Sequence, residues 1–482
     1  MKSRSWAFDA KIWKNERRKM GVSSIHPQYS KNKDKWQTMR DALSAEVAKE
    51  KYVPKLSDQD TAEYQAYVSR AEFYNATART KTALVGLLFA KPPKVELPEA
   101  LKSIGENISL DDDSLEALAK NIADECLSVG RCGVLVDLPS VEKSEYSRLE
   151  AERLNLRAYA TLYKAENIIN WKTTKINGSN VTSLVVLMES YEEPTADEFV
   201  YLAKTRYRVL DLKDGYYRQR VFEETNGTAE PVSEIYPSAN GKRLPYIPFT
   251  FFNVNDLKTD IDKPPLLDLA RINISHFRSE VDLEHGTHFT ALPTPYVTGY
   301  QGDDSKLKIG STVVWALDNP DAKVGFLEFS GAGLSTLENR IAVKEKRMSI
   351  LGARLLLDEK KTAEATETLQ MRKSGENAVL TNVATTISEG IVSFLKDIAF
   401  FENIASENLI YDINTDYNLT MVDPQIIAQI IAGIQSALIP NEVLYDVLLK
   451  GELMPENIRS YEEYQAQIDS AKPALSPADE EL

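Results

Sequence analysis

Residues 351–380 read LGARLLLDEKKTAEATETLQMRKSGENAVL. Three leucines, Leu355 to Leu357, run straight into Asp358, Glu359, Lys360 and Lys361, and a stretch of Thr, Ala and Glu follows. On the N-terminal side, Leu334, Leu337, Ile341, Met348 and Leu351 keep helical spacing. On the C-terminal side, Leu380, Val383, Ile387, Ile391, Phe394, Ile398 and Phe401 keep it too, predicting a helix over about 364–402. A charged loop of small side chains therefore separates two helices. Such a loop either covers a reacting centre as a lid or lines an opening, and the rest of the chain has to decide which.

Upstream, PPLLDLARINISHFRSEVDLEHGTHF (264–289) predicts another helix. Pro264 and Pro265 suit its first turn; Leu266, Leu267, Ala270, Ile274, Phe277, Val281 and His285 share its spacing, and Pro293 and Pro295 end it. The segment 290–332 then holds YVTGY, STVVWAL and VGFLEF, read as three short strands of a small module. The helix of 333–352 follows.

The N-terminal half reads as helices and then strands. A helical stretch runs from Trp36 to Lys49. Phe73, Thr77, Thr80, Leu84, Leu87 and Leu88 form an amphipathic stripe stopped by Pro92–Pro93. A helix from Asp113 to Ser128 is expected to take its cap from Asp111–Asp113. The β-rich runs RCGVLVDL, RAYATLY, TSLVVLME, EFVYLAKTRYRVLDL, YYRQRVF and YIPFTFF come next, divided by turns such as Lys213-Asp214-Gly215 and Asn240-Gly241. Strands do not alternate with helices, so the fold class is α+β with an antiparallel β region. After the long helix come a strand pair (NLIYDI with YNLTMV), a helical hairpin (PQIIAQIIAGIQSAL, PNEVLYDVLLKGEL) and an acidic tail.

The chain has 482 residues and a net charge of −15, which argues against a surface built to grip nucleic acid phosphates. Charge is uneven: residues 1–40 hold eleven Lys/Arg against three Asp/Glu, and residues 461–482 one Lys against six Asp/Glu. Both ends are expected to be solvated arms, the basic one over 1–59 and the acidic one over 461–482. The two cysteines, Cys126 and Cys132, fit no metal or redox spacing and point to a reducing compartment. No signal peptide and no membrane-spanning run is expected.

Gly241-Lys242 has no glycine five residues ahead, so it is not a phosphate-cradling loop. No Gly-x-Ser-x-Gly elbow is present. Asp282, Glu284, His285 and His288 form the one metal-like cluster, but His285 and His288 stand three apart, not in a His-Glu-x-x-His pattern. No cofactor or metal is expected, and no enzyme activity.

Several stretches in combination resemble the portal proteins of tailed bacteriophages: RAEFYNATARTKTALVGLLFAKPP (70–93), VGRCGVLVDLP (129–139), ENIINW (166–171), PYIPF (245–249), LGARLL (351–356) and TAEATETLQMRKSGE (362–376). The resemblance covers about residues 40–450 and implies a wing over 60–263, a first stem helix over 264–289, a clip over 290–332 and a second stem helix over 333–352. It further implies a tunnel loop over 353–363, a long wing helix with strands over 364–422 and a helical crown over 423–460. The clip here reads as mostly strand, a departure from the family's small α/β module.

The resemblance also implies a ring of twelve copies at one capsid vertex of the virion, assembled in the bacterial cytoplasm. Double-stranded DNA would pass through it without sequence specificity. Its partners would be terminase, head-completion or adaptor proteins, and major capsid and scaffolding proteins. A conduit must not grip its cargo, so an acidic wall with a few cations is expected. Asp358, Glu359, Lys360 and Lys361 in the loop, and Lys344, Lys346 and Arg347 on the second stem helix, are the candidate channel residues. Ile387 and Ile391 are the candidate ring-assembly core. Two alternatives stay open: a metal-dependent hydrolase using His285 and His288, and a head–tail adaptor.

Overall fold

The computed structural model describes residues 21–44, 49–55, 57, 59–109, 111–139, 150, 153–176, 178–195, 197, 199–225, 228–239, 241–291, 294–299, 319–327, 331–353, 366–415, 417, 424–436, 438–450 and 460–471. The fold is α+β, in two compact units, one ending at Thr415 and one starting at Asp416.

The first unit opens with α1 (Pro27–Leu43), which carries Pro27 at its start and whose first turn is capped by His26 Nδ1, accepting from Gln28 N. Trp36, Met39 and Ala42 of α1 are fully buried. The expected solvated arm is therefore corrected from Pro27 onward: three apolar side chains at helical spacing pull this basic segment into the core. Short helices α2 (Lys49–Tyr52) and α3 (Thr61–Ser69) precede α4 (Ala76–Leu88), β1 (Lys94–Glu96), α5 (Glu99–Glu106) and α6 (Leu115–Val129). The cap of α6 is Ser114, whose Oγ accepts from Ala117 N at 3.1 Å, and not the aspartates before it. Its far end closes on Gly130, held at φ +80°. A side chain there would be strained and would crowd the backbone of Asp262 to Pro264.

Next come β2 (Arg131–Asp137), β3 (Tyr159–Lys164), β4 (Ile168–Ile176), β5 (Ser179–Pro194), β6 (Tyr201–Lys213), β7 (Tyr216–Thr225), β8 (Thr228–Ile235), the two-residue strands β9 (Ser238–Ala239) and β10 (Lys242–Arg243), and β11 (Phe249–Asn253). All pairings are antiparallel, in a three-stranded sheet β11-β2-β3 and a five-stranded meander β4-β5-β6-β7-β8. Asp214 and Gly215, both at positive φ, make the two-residue turn between β6 and β7 that suits strand twist.

β5 and β6 outrun their neighbours. β4 covers β5 only over Ser179–Leu187, and β7 covers β6 only from Arg206 on. Beyond those points Ser190–Pro194 and Tyr201–Thr205 pair only with each other and form a two-stranded arm about 17 Å long.

Two long helices follow, α7 (Leu267–Ala291) and α8 (Leu334–Ala353), separated by the hairpin β12 (Thr294–Thr298) with β13 (Lys323–Leu327). STVVWAL, expected as the third strand of this module, lies outside the described residues. Then comes the 37-residue α9 (Thr366–Glu402), which with α6 packs on the sheet β11-β2-β3. Leu380, Val383, Ile387, Ile391, Phe394 and Ile398 are fully or almost fully buried. Gly390 lets the helix approach so closely that a Cβ there would lie 2.2 Å from the Phe252 ring. β14 (Ile410–Asp412) pairs with β1, more than 300 positions earlier; YNLTMV, expected as its local partner, lies outside the described residues apart from Tyr417.

The second unit holds α10 (Pro424–Gln435), α11 (Asn441–Lys450) and α12 (Tyr461–Ala471). The last corrects the reading of a solvated tail from residue 461, because Tyr461 and Tyr464 pack their rings on Tyr445 of α11 at 5.6 and 5.4 Å.

Candidate functional site

α7 and α8 run antiparallel: Leu334 meets Gly286 near one end, and Lys344 and Glu345 meet Ser275 to Ser279 further along. Lys344 Nζ donates to Ser275 O at 2.7 Å and to Ser279 Oγ at 2.6 Å. Burial, helped by the nearby Arg340, lowers its pKa. Its charge thus braces one helix on the other. Lys346 and Arg347, one turn round the helix, are exposed. His276 on α7 is 3% exposed, with Nε2 3.4 Å from Glu345 Oε1 and 4.0 Å from Glu280 Oε2.

A buried amide fixes α4 against this pair. Asn273 Oδ1 accepts from both N and Oγ1 of Thr77, and Asn273 Nδ2 donates to Tyr74 O. Further along, α4 touches α8 where a Cβ on Gly352 would lie 2.7 Å from Thr80 Oγ1. The loop residues Asp358, Glu359, Lys360 and Lys361, which follow α8, lie outside the described residues. Ile387 and Ile391 are buried in the chain's own core, on the face of α9 turned to the sheet.

The histidines of the metal reading have other company. The His285 ring packs edge-on against Tyr67 at 4.6 Å, and burial lowers its pKa. His288 Nε2 lies 3.1 Å from the Arg70 guanidinium, a cation that opposes a metal ion at that nitrogen. Among the described residues no group of three His, Cys, Asp or Glu side chains could hold a metal ion.

One carboxylate pair does meet in a cleft. Asp137, Glu189, Arg206, Arg208, Tyr159 and Tyr163 line a cavity of about 290 Å³ between the two larger sheets. Arg208 donates to Asp137 and to Glu189, each at 2.7 Å, and Tyr163 OH donates to Glu189. Burial raises the Asp137 pKa against the pull of Arg208. Arg208 is shared by both carboxylates and Arg206 also pairs with Glu189, so both acids are held as ion-pair partners. The network ties β2 to β5 and β6. Arg131 is another buried ion, with its guanidinium 4.3 Å from the Trp171 ring and 4.6 Å from the Phe251 ring. Burial brings its pKa down to about 9. No helix among the described residues is long and apolar enough to cross a membrane.

A family model described as a domain of unknown function (DUF4055) matches residues 265–401, the segment from the start of α7 through nearly all of α9. No curated protein matches the chain. Among solved structures, it is similar to a chain in the virion of a native gene transfer agent particle, at 9% identity over 84% of this chain and 89% of that one, TM-score 0.36. Similar chains occur in the neck of the native particle computed with C12 symmetry (12% identity, 80% and 91% covered, TM-score 0.37) and in the neck of an empty particle computed with C6 symmetry (11%, 80% and 92%, TM-score 0.38).

Proposed function

We propose that this chain is the subunit of a portal-type ring, a closed assembly of copies at one vertex of a tailed-phage capsid, through which double-stranded DNA enters and leaves. One observation carries the reading. Two antiparallel helices of 25 and 20 residues flank a small hairpin, and a 37-residue helix follows later in the chain. In this reading 60–263 is the wing, α7 and α8 are the stem, the β12–β13 segment is the clip, the charged sequence of 353–363 is proposed as the tunnel loop and 423–460 as the crown. The sequence stretches that resemble portal proteins support it independently.

The physics is that of a wall which guides and does not bind. A helix of 20 residues spans about 30 Å, or roughly nine base pairs at 3.4 Å each. A net-acidic ring repels the duplex and keeps it centred, while exposed Arg347 and the loop cations Lys360 and Lys361 make brief phosphate contacts. Lys344 braces the stem. Ile387 and Ile391 act on assembly through the subunit's own fold. The partners are terminase, head-completion or adaptor proteins, and capsid and scaffolding proteins. The chain itself performs no catalysis.

Electron microscopy of negatively stained protein tests this directly. Rings with a central opening are expected, and persistent monomers or aggregates without an opening would sink the proposal. Particles made without the chain separate the two head–tail roles. Without a portal no DNA enters the head, whereas without an adaptor filled heads form and leak.

A further inference from the structure

The arm formed by β5 and β6 ends in an apolar knob. Phe199 is 83% exposed, Val200 46%, Tyr201 58% and Leu202 53%. The turn presenting it is locally fixed: Thr195 Oγ1 donates to Val200 O at 2.8 Å, and Phe199 N donates to Asp197 Oδ1 at 3.1 Å. Four large apolar side chains held together in water at the tip of a projecting arm mark a contact surface.

The same chain carries a receptor of matching character. A groove of about 1050 Å³ lies between α4 and α8, lined by Ala76, Ala83, Ala342 and Met348, with the exposed cations Arg79 and Lys346 at its rim. It exists because α4 and α8 meet through small residues, with Gly352 against Thr80. Its volume accommodates several large side chains. The charges also match. Glu192 and Asp197 flank the knob, Arg79 and Lys346 rim the groove, and none of the four makes an ion pair among the described residues. Glu345, the acid among the groove residues, faces His276.

A knob and a complementary pocket at different places on one chain define a heterologous contact, which repeats head to tail and closes into a ring or grows into a fibre. We propose that the β5–β6 arm of one copy seats its knob, Phe199 to Leu202, in the α4–α8 groove of the next copy. This rests on the ring reading and names the contact that links its subunits. The acidic flanks of the arm then meet Arg79 and Lys346, fixing register and excluding the reverse docking.

The test uses the full-length chain with Val200→Cys and Ala83→Cys combined, both at exposed positions; the native Cys126 and Cys132 are buried. Mild oxidation is expected to give a ladder of covalent multiples on a non-reducing gel. Each single variant should give none, and a mixture of the two should give dimers only. Intact rings by native mass spectrometry with no ladder would overturn this contact and leave the ring reading standing. A chain that stays monomeric by mass and gives no ladder would overturn both. A disulfide closed within one chain, or knob crosslinks only to a different protein, would also overturn the contact. In addition, Glu192→Lys with Asp197→Lys should cut the assembled fraction at least tenfold, and Arg79→Glu with Lys346→Glu should restore it. Failure of that rescue counts against the charge pairing.

Discussion

Asp397 of α9 and Tyr246, just ahead of β11, meet in a single hydrogen bond, with Tyr246 OH donating to Asp397 Oδ1 at 2.7 Å. Asp397 is 5% exposed, and burial pushes its pKa up to about 7 despite that bond. The long helix therefore carries an acid that stays neutral in the fold below about pH 7.

The sign of the pH effect follows. The folded chain keeps this proton up to about pH 7, and the unfolded chain releases it near pH 4. The contribution is complete below about pH 4 and is lost as pH rises through about 7. Between pH 5 and pH 8 this group should cost about 3 kcal/mol of stability. Asp397→Asn keeps the acceptor for Tyr246 and should flatten that dependence. Urea melts of both proteins at the two pH values check it; equal pH slopes for wild type and variant would remove Asp397 as the cause.

Gly390 makes the closest approach of α9 to the sheet. Alanine there gains about 1 kcal/mol of helix propensity, but its Cβ would lie 2.2 Å from the fully buried Phe252 ring. Overpacking should win, so Gly390→Ala should lower stability by about 1–3 kcal/mol. Phe252→Leu in the same chain should recover part of the loss. Chemical denaturation of both single variants and the double variant measures the coupling, and simple additivity would show that the two sites do not touch.

How far the sequence carried this structure depends on the range of the interaction involved. The stripes on α4, α6 and α9 were legible because burial repeats every three to four residues along one helix. The turn at Asp214-Gly215 was legible from two residues alone. β4 was missed because IINWKTTKI ends in exposed Lys and Thr, and the pairing of β14 with β1 was missed because the two are remote in sequence. The cap of α6 was expected from Asp111–Asp113, because three aspartates in a row outweighed the single Ser114 that makes it. Asn273, Arg131 and Asp397 carry no local signal at all. Each is polar at an ordinary helix or strand position, and its role is created by a residue more than 35 positions away. The candidate cations on α8 were legible as charges but not as two kinds of charge, because the Lys344 partners lie on α7.

Ile391 separates folding from assembly. Both Ile387 and Ile391 are fully buried inside the subunit, so a carboxylate at either should act before any ring can form. Ile391→Asp should cost several kcal/mol by burying an unpaired polar group and should lower the melting temperature of the chain along with its ring yield. Ile391→Val should cost about 1 kcal/mol and leave rings intact. Circular dichroism melts beside native mass spectrometry distinguish the cases. Intact, normally melting rings from Ile391→Asp would refute the buried stripe.

The three stem cations should differ in kind. Lys344→Met removes a charged donor to Ser275 and Ser279 and should cost about 1–3 kcal/mol of stability, with DNA handling altered only as far as the stem loosens. Lys346→Glu and Arg347→Glu change exposed groups, so each should leave stability within about 0.5 kcal/mol. Lys346→Glu should lower the assembled fraction, because Lys346 rims the groove that receives the arm of the next copy. If Arg347 meets passing DNA, reversing it should change how much DNA is packaged or retained, and Lys360→Glu with Lys361→Glu in the loop should do the same with ring assembly unaltered. Thermal melts, native mass spectrometry and the yield of packaged DNA from particles carrying each variant give the three readouts. A packaging defect from Lys344→Met with unchanged stability would transfer Lys344 from brace to channel wall. Normal packaging from both the stem and the loop reversals would leave the duplex without a cationic contact at either level.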